Sequence, residues 1–394
     1  MKKITWYAGI SVILAIAIFM SSGKTTSSVI APAVQIVQAS NVVAIEHYIS
    51  HKTTVPGFEG KNFKLHVREK VKKSIANNSQ WNRDGKVVLF IHGYSISGVP
   101  TFDLDYKNYS WMNYLAERGF DTFAIDLTGY GGSTRPDPMN NPCNLDRTSQ
   151  ATLKLKRCKS THSRTLTTIE SDWDDIDAVV NHIINSRGVK QVSLIGASWG
   201  GVRAIGYASI YPEKIDKLII QGAKGPAAAS NLAELFAPKS PIKLTTPRTF
   251  RTLWNSMQKC QNQAESKTLD AVWKSMLASD PVGSQWGSGV VRSPTFSLDG
   301  AGKQNLNALT VPTLIIGGEY DWLASPRHIQ RFYRSLKVSK KVHMTIKCAS
   351  HFIPYERQSQ IMYAASYDWL QNEKISGKDK GSVTVKANGE FDWN

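Results

Sequence analysis

Six short runs of β-branched and apolar residues recur along this chain with helical stretches between them, and no other feature limits its fold as strongly. The runs are Lys86–Ile91, Asp121–Asp126, Gln191–Ile195, Lys217–Gln221, Pro312–Ile316 and Lys341–Ile346. Most have an unbroken apolar centre, as expected of parallel strands buried on both faces. Between them, Thr168–Arg187 places Trp173, Ile176, Val180, Ile183 and Ile184 on one helical stripe. Asp172, Asp174, Asp175 and Asp177 fall in its early turns, where the helix dipole favours anions. Such alternation builds an α/β fold with a doubly wound, mostly parallel sheet. Ahead of it, Val42–Ser50 and Asn62–Arg68 read as an antiparallel pair joined around Pro56 and Gly57. Two segments break the rhythm, Arg135–Thr167 and Gly222–Gln304. The second is too long for a plain connection and is expected to be an inserted helical cap. The core then comprises residues 40–221 and 305–374, and the Gly- and Lys-rich residues 375–394 read as a loose tail.

The first 39 residues concern address. Lys2 and Lys3 precede an uncharged apolar stretch from Ile4 to Met20. Its length lies between a secretory h-region of about 7–15 residues and a spanning helix of about 20. Small residues at Ser21–Gly23, Ala31–Ala33 and Val37–Ala39 offer cleavage sites, so a cleaved signal peptide is expected, with an uncleaved N-terminal membrane anchor as the alternative. Four cysteines, Cys143, Cys158, Cys260 and Cys348, suit an exported protein with disulfides. Three pairings are open. Cys143 and Cys158 bracket one Pro- and Lys-rich stretch, making a local clip the economical choice; Cys260 and Cys348 are then a second pair or two free thiols.

Charge excludes less than its size suggests. Lys and Arg number 48 against 31 Asp and Glu, a formal net charge of +17 that drops to +14 if residues 1–39 are removed. The basic residues are spread along the chain, and the local runs near Lys70 and Lys154 carry no interleaved aromatic platform for bases. A nucleic-acid partner is therefore not expected, and a membrane contact only through an uncleaved N-terminus. Oligomeric state is not readable from these features.

The chemistry sits at strand ends. Behind Gln191–Ile195 comes Gly196-Ala197-Ser198-Trp199-Gly200-Gly201 and then a helical pattern ending near Tyr211. In a strand–turn–helix context, a G-x-S-x-G of this kind holds Ser198 on a tight turn with its hydroxyl projecting into a cleft. The Trp199 amide, at the helix N-terminus, then points toward developing negative charge. After Pro312–Ile316 come Glu319 and Asp321, and after Lys341–Ile346 comes His351.

These motifs resemble the α/β-hydrolase family, the likeness running from about Val42 to Leu370. The resemblance implies an α/β-hydrolase fold with Ser198 as nucleophile, Asp321 as acid and His351 as base. Glu319 is the reserve acid. His92, His343 and His328 are rival histidines, but His92 belongs to the His92-Gly93-Tyr94 turn and His343 to a strand. The turn maps the second oxyanion donor onto the Tyr94 amide, beside that of Trp199. Here the sequence departs from the prolyl aminopeptidase branch that Gly-x-Ser-Trp-Gly-Gly resembles, because no Gly-Gly-Pro-Gly follows His92. Serine at 198 also sets the chain apart from dehalogenases and epoxide hydrolases of this fold, which use Asp there.

No His, Asp or Glu cluster has metal spacing, and Asp126–Ser133 is no dinucleotide fingerprint, since Arg135 and Pro136 stand where a helix should begin. No cofactor or metal is therefore implied. Hydrolysis of a small-molecule carboxylic ester is the expected activity; aminopeptidase and carbon–carbon hydrolase are the alternatives, and a non-catalytic binding protein is the reading from another class. From Gly222 to Gln304 there are ten Lys or Arg and five Asp or Glu, a poor field for a cationic peptide N-terminus. Trp254, Trp273, Trp286 and Trp322 are candidates to line an apolar pocket or to pack in the core.

Overall fold

A computed structural model describes residues 41–76, 78, 83–225 and 240–393. The N-terminal leader read from the sequence lies outside the described residues. Val42–Lys52 (β1) and Asn62–Lys72 (β2) pair antiparallel, Val42 opposite Lys72. Then follow Val87–Ile91 (β3), helix Trp111–Ala116 (α1), Asp121–Ile125 (β4), helix Ile169–Arg187 (α2), Val192–Ala197 (β5), helix Trp199–Ile210 (α3) and Ile215–Gln221 (β6). The long insertion carries helices Pro247–Met257 (α4) and Thr268–Ala278 (α5). The chain returns to Thr313–Gly318 (β7), helix Pro326–Ser335 (α6), Lys341–Ile346 (β8) and helix Ser359–Asn372 (α7), and adds Lys380–Val385 (β9) and Phe391–Trp393 (β10).

These ten strands form one sheet in the order β1-β2-β4-β3-β5-β6-β7-β8-β9-β10. All pairings from β4 through β3 to β9 are parallel, and β2 joins β4 antiparallel. The pleat explains the unbroken apolar runs. On β3, Val87, Leu89 and Ile91 face one core, while Val88 and Phe90 face the other. Ile176 and Val180 of α2, Ile205 of α3 and Ile329 of α6 cover the first face; Trp111 of α1 and Met362 and Trp369 of α7 cover the second. Each large apolar side chain so buried contributes about 1.5–3 kcal/mol over an exposed one.

Two expectations from the sequence change. Residues 375–394 are not a loose tail through their length, because β9 extends the sheet from β8 and buries Val383 and Val385. Their polar neighbours hid a strand that needs only two inward side chains. The insertion is also not wholly helical. Ile242–Thr245 and Val291–Pro294 make an antiparallel ribbon, and Phe296–Ser297 pairs with Thr167–Thr168, joining the two interrupting segments. A buried Asp280–Arg292 ion pair at 2.6 Å braces the ribbon, and Arg292 Nη1 donates to the Met139 carbonyl at 2.7 Å.

Candidate active site

Ser198 occupies the turn between β5 and α3 with φ +55°, a left-handed conformation uncommon for a residue with a Cβ. Two glycines permit it. A Cβ on Gly196 would lie 2.5 Å from the Gly200 carbonyl, and one on Gly200 would lie 1.9 Å from that of Ile91. The Ser198 amide is held by the Gln221 carbonyl at 2.7 Å. Strain of this kind costs about 1–3 kcal/mol and persists where the surroundings over-determine it.

Two loops, after the carboxyl ends of β7 and β8, bring the other groups to Ser198. His351 Nε2 lies 2.9 Å from Ser198 Oγ, and His351 Nδ1 lies 2.8 Å from Asp321 Oδ2. A carboxylate can only accept, so Nδ1 carries the proton and Nε2 of the neutral ring accepts from the serine hydroxyl. Asp321 is buried, and its second oxygen accepts the Ala324 amide at 2.8 Å. Burial alone would lower the His351 pKa; the Asp321 carboxylate outweighs it and raises the value above the usual 6.5. Glu319 goes elsewhere, pairing with Lys347 at 2.7 Å and accepting the Cys348 amide at 3.1 Å.

The rival histidines have other partners. His92 Nδ1 donates to the Gly93 carbonyl at 2.8 Å, and its Nε2 accepts the Leu127 amide at 3.2 Å. Burial pushes its pKa down to about 4, so this histidine stays neutral and pins the turn before Tyr94. His343 is likewise lowered to about 4 by burial within β8. His328 bonds Ser325 at 2.8 Å.

The profile of the alpha/beta hydrolase fold matches residues 86–358, more than half of the chain. The chain belongs to the α/β-hydrolase family. A Bacillus subtilis relative, AB hydrolase superfamily protein YisY, is 24% identical over 293 residues, covering 70% of this chain and 89% of that protein. A 1-acylglycerol-3-phosphate O-acyltransferase of Arabidopsis thaliana is 25% identical over 54% of this chain, but the match spans only 39% of that longer protein. The solved structure of a thermophilic esterase from Thermogutta terrifontis superposes with a TM-score of 0.50 at 18% identity, covering 82% of this chain and 98% of that one. It shares the fold.

In this hydrolase Ser198 and His351 open onto a cavity of about 470 Å³. Tyr94 and Trp199 also line it, and the ring of Phe296 packs edge-on against both, at 5.7 and 4.9 Å between centroids. Gly93 brings its backbone so close that a Cβ there would lie 2.9 Å from Ser198 Cβ. Ile96, Phe250, Leu253 and Phe352 form apolar wall. Of the four candidate tryptophans only Trp322 lines the cavity, with its indole N–H donating to Ser256 at 3.1 Å. Trp254 and Trp273 pack behind Phe250, and Trp286 covers Arg292 in another cluster.

Sequence reasoning missed two supports of the His351 loop. Gln221 Nε2 donates to the His351 carbonyl at 3.3 Å, from the same residue whose own carbonyl holds Ser198. Glu356, fully buried, accepts the Ser350 amide at 2.8 Å, the Ser350 hydroxyl, and Gln263 Nε2 at 2.8 Å. Burial raises its pKa against these donors, which act to lower it. No short-range motif marks either residue, because Gln221 is 130 residues from His351 and Gln263 is 93 from Glu356, while the contact of Ser350 with Glu356 six residues on follows no helical or strand spacing.

Both cysteine pairs are disulfides, Cys143–Cys158 and Cys260–Cys348. No group of three or more potential metal ligands occurs among the described residues. Nor is any helix there long and apolar enough to cross a membrane.

Proposed function

We propose that this hydrolase cleaves a small-molecule carboxylic ester through an acyl-enzyme, with Ser198 as nucleophile, His351 as general base and acid, and Asp321 as the orienting carboxylate. The observation that carries the reading is the unbroken hydrogen-bond chain Asp321–His351–Ser198, at 2.8 and 2.9 Å, ending on a serine in a left-handed turn at the cavity. Ser198 Oγ attacks the ester carbonyl as its proton passes to His351 Nε2. The oxyanion lies between the Tyr94 and Trp199 amides; one such donor contributes about 10²–10³ in turnover. His351 then protonates the departing alcohol, and water repeats the sequence to release the acid and restore Ser198.

An apolar cavity and the absence of any carboxylate among its described lining residues favour an ester over a peptide with a free amino terminus. Residues 222–304 act as the cap on a core of 40–221 and 305–374. Two disulfides favour an oxidising compartment, reached through the N-terminal leader. The deciding experiment is labelling with a fluorophosphonate, followed by a panel of p-nitrophenyl esters and aminoacyl anilides. Ser198 should carry the label, Ser198→Ala should take none, and esters should be cleaved in preference to anilides. Labelling undiminished in Ser198→Ala would defeat the assignment.

A further inference from the structure

Among its described lining residues, the cavity wall carries cations and no carboxylate. Lys224, three residues beyond β6, and Lys243, on the ribbon of the insertion, both line it, while no Asp or Glu does so among the described lining residues. Lys224 is half-buried and makes no ion pair or hydrogen bond with a described residue. The acid whose field reaches it is Asp321, already committed to His351 and to the Ala324 amide. Burial disfavours the charged form of this ammonium, and its pKa lies below the usual lysine value. A partly desolvated cation at the edge of a catalytic cavity is stabilised by an anion arriving with the ligand. A low-dielectric cleft carrying one sign of charge also concentrates ligands of the opposite sign.

Resting on the ester-hydrolase reading, we propose that the substrate is an anionic ester, with an apolar chain against Phe250, Leu253 and Phe352 and a carboxylate or phosphate held by Lys224. Lys224 is then a specificity residue. It lines the same cavity as Ser198 and His351, two residues beyond Gly222, where a Cβ would lie 3.2 Å from His351 Nδ1 and 3.3 Å from Asp321 Oδ2. An anion bound there is therefore held close to the acid–base pair, which positions the ester between Lys224 and Ser198. A wholly neutral ester would bring no counter-charge to this ammonium.

The test uses three p-nitrophenyl esters with the same six-carbon acyl chain, ending in a methyl ester, a carboxylate or a phosphate. At low ionic strength both anionic esters should exceed the neutral one by tenfold or more in kcat/KM, equivalent to about 1.4 kcal/mol. The advantage should shrink with added salt and appear mainly in KM. Lys224→Met keeps the apolar stem and should bring the anionic-to-neutral ratio near one, while Lys224→Arg should restore it. The larger of the two anionic rates names the group. An undiminished ratio in Lys224→Met, or a wild-type preference for the neutral ester, overturns the proposal. Calorimetric binding of the intact esters to Ser198→Ala reads the same charge preference without turnover. If none of the esters is hydrolysed yet the anionic ones bind more tightly through Lys224, the ester-hydrolase reading fails and the anion site stands.

Discussion

The two segments that interrupt the strand–helix rhythm are each clamped by a disulfide, and the clamps do different work. Cys143 and Cys158 are 15 residues apart and close a loop within their own segment. Cys260 and Cys348 are 88 apart and tie the insertion to the loop that carries His351 three residues later. Around the second clamp, Gln263 of the insertion and Ser350 of the histidine loop meet on the buried Glu356 carboxylate. The first clamp restrains its own loop. The second makes the placement of His351 depend on a segment that is not part of the sheet.

The steepest change should come where His351 meets Asp321. Asp321→Asn keeps the volume but removes the charge that fixes the His351 tautomer, and turnover should fall about 10⁴-fold near neutral pH. Glu319→Gln should change it little, because Glu319 serves Lys347 and the Cys348 amide. The two variants are compared by kcat on protein whose circular dichroism is unaltered. Loss confined to Glu319→Gln would reassign the acid.

Removing the second clamp, by Cys260→Ser with Cys348→Ser, should cost stability and turnover together. Loop-closure entropy alone gives about 4.5 kcal/mol for its 88-residue loop. Released from the insertion, His351 samples positions away from Ser198, and kcat should drop roughly 10- to 100-fold, as misplacement of a catalytic group does. Chemical denaturation and steady-state kinetics measure the two effects. Removing the first clamp, by Cys143→Ser with Cys158→Ser, should cost about 3 kcal/mol for its 15-residue loop and leave kcat as it was. Equal kinetic penalties in the two double variants would erase the difference between the two clamps.

The smallest effect is a displacement in pH. His351 must be neutral to accept the serine proton, so activity should be lost as pH falls through its pKa. That pKa is raised above 6.5 by Asp321, and the acid limb of kcat/KM should therefore lie above that value. Loosening the Asp321–His351 pair by removing the second disulfide should move the limb down toward 6.5. Removing the first should leave it in place. A pH–rate profile of each variant reads the difference.

Much of the architecture was legible in the chain because it rests on short-range patterns. The six apolar runs correspond to β3–β8 with ends shifted by at most two residues, and the Val42 and Asn62 runs to the antiparallel β1–β2 pair. Ser198, Asp321 and His351 could be named because each closely follows a strand whose apolar run announces it. Chain order then restricts which acid and which histidine can face the serine. β9 was hidden because a strand near the end of the sheet needs few buried side chains, and Val383 and Val385 alone do not outweigh their Gly and Lys neighbours. The tryptophans were ambiguous for a related reason: an aromatic residue on an amphipathic helix reads the same whether its face meets a cavity or a core.

The sequence by itself determined the periodicities, the tight Gly196–Gly200 turn and the order of the reactive groups, since these depend on neighbours a few residues apart. Tertiary closure decided the rest. It set Asp321 rather than Glu319 against His351, because the turn at Gly318 leaves Glu319 bonded toward β8 and carries Asp321 to 2.8 Å from His351 Nδ1. It joined Cys260 to Cys348 across 88 residues and gathered Ser350 and Gln263 on Glu356. It also left Lys224 facing the cavity without an acid of its own among the described residues. Such contacts depend on the whole sheet and insertion packing at once, so local propensity carries no record of them.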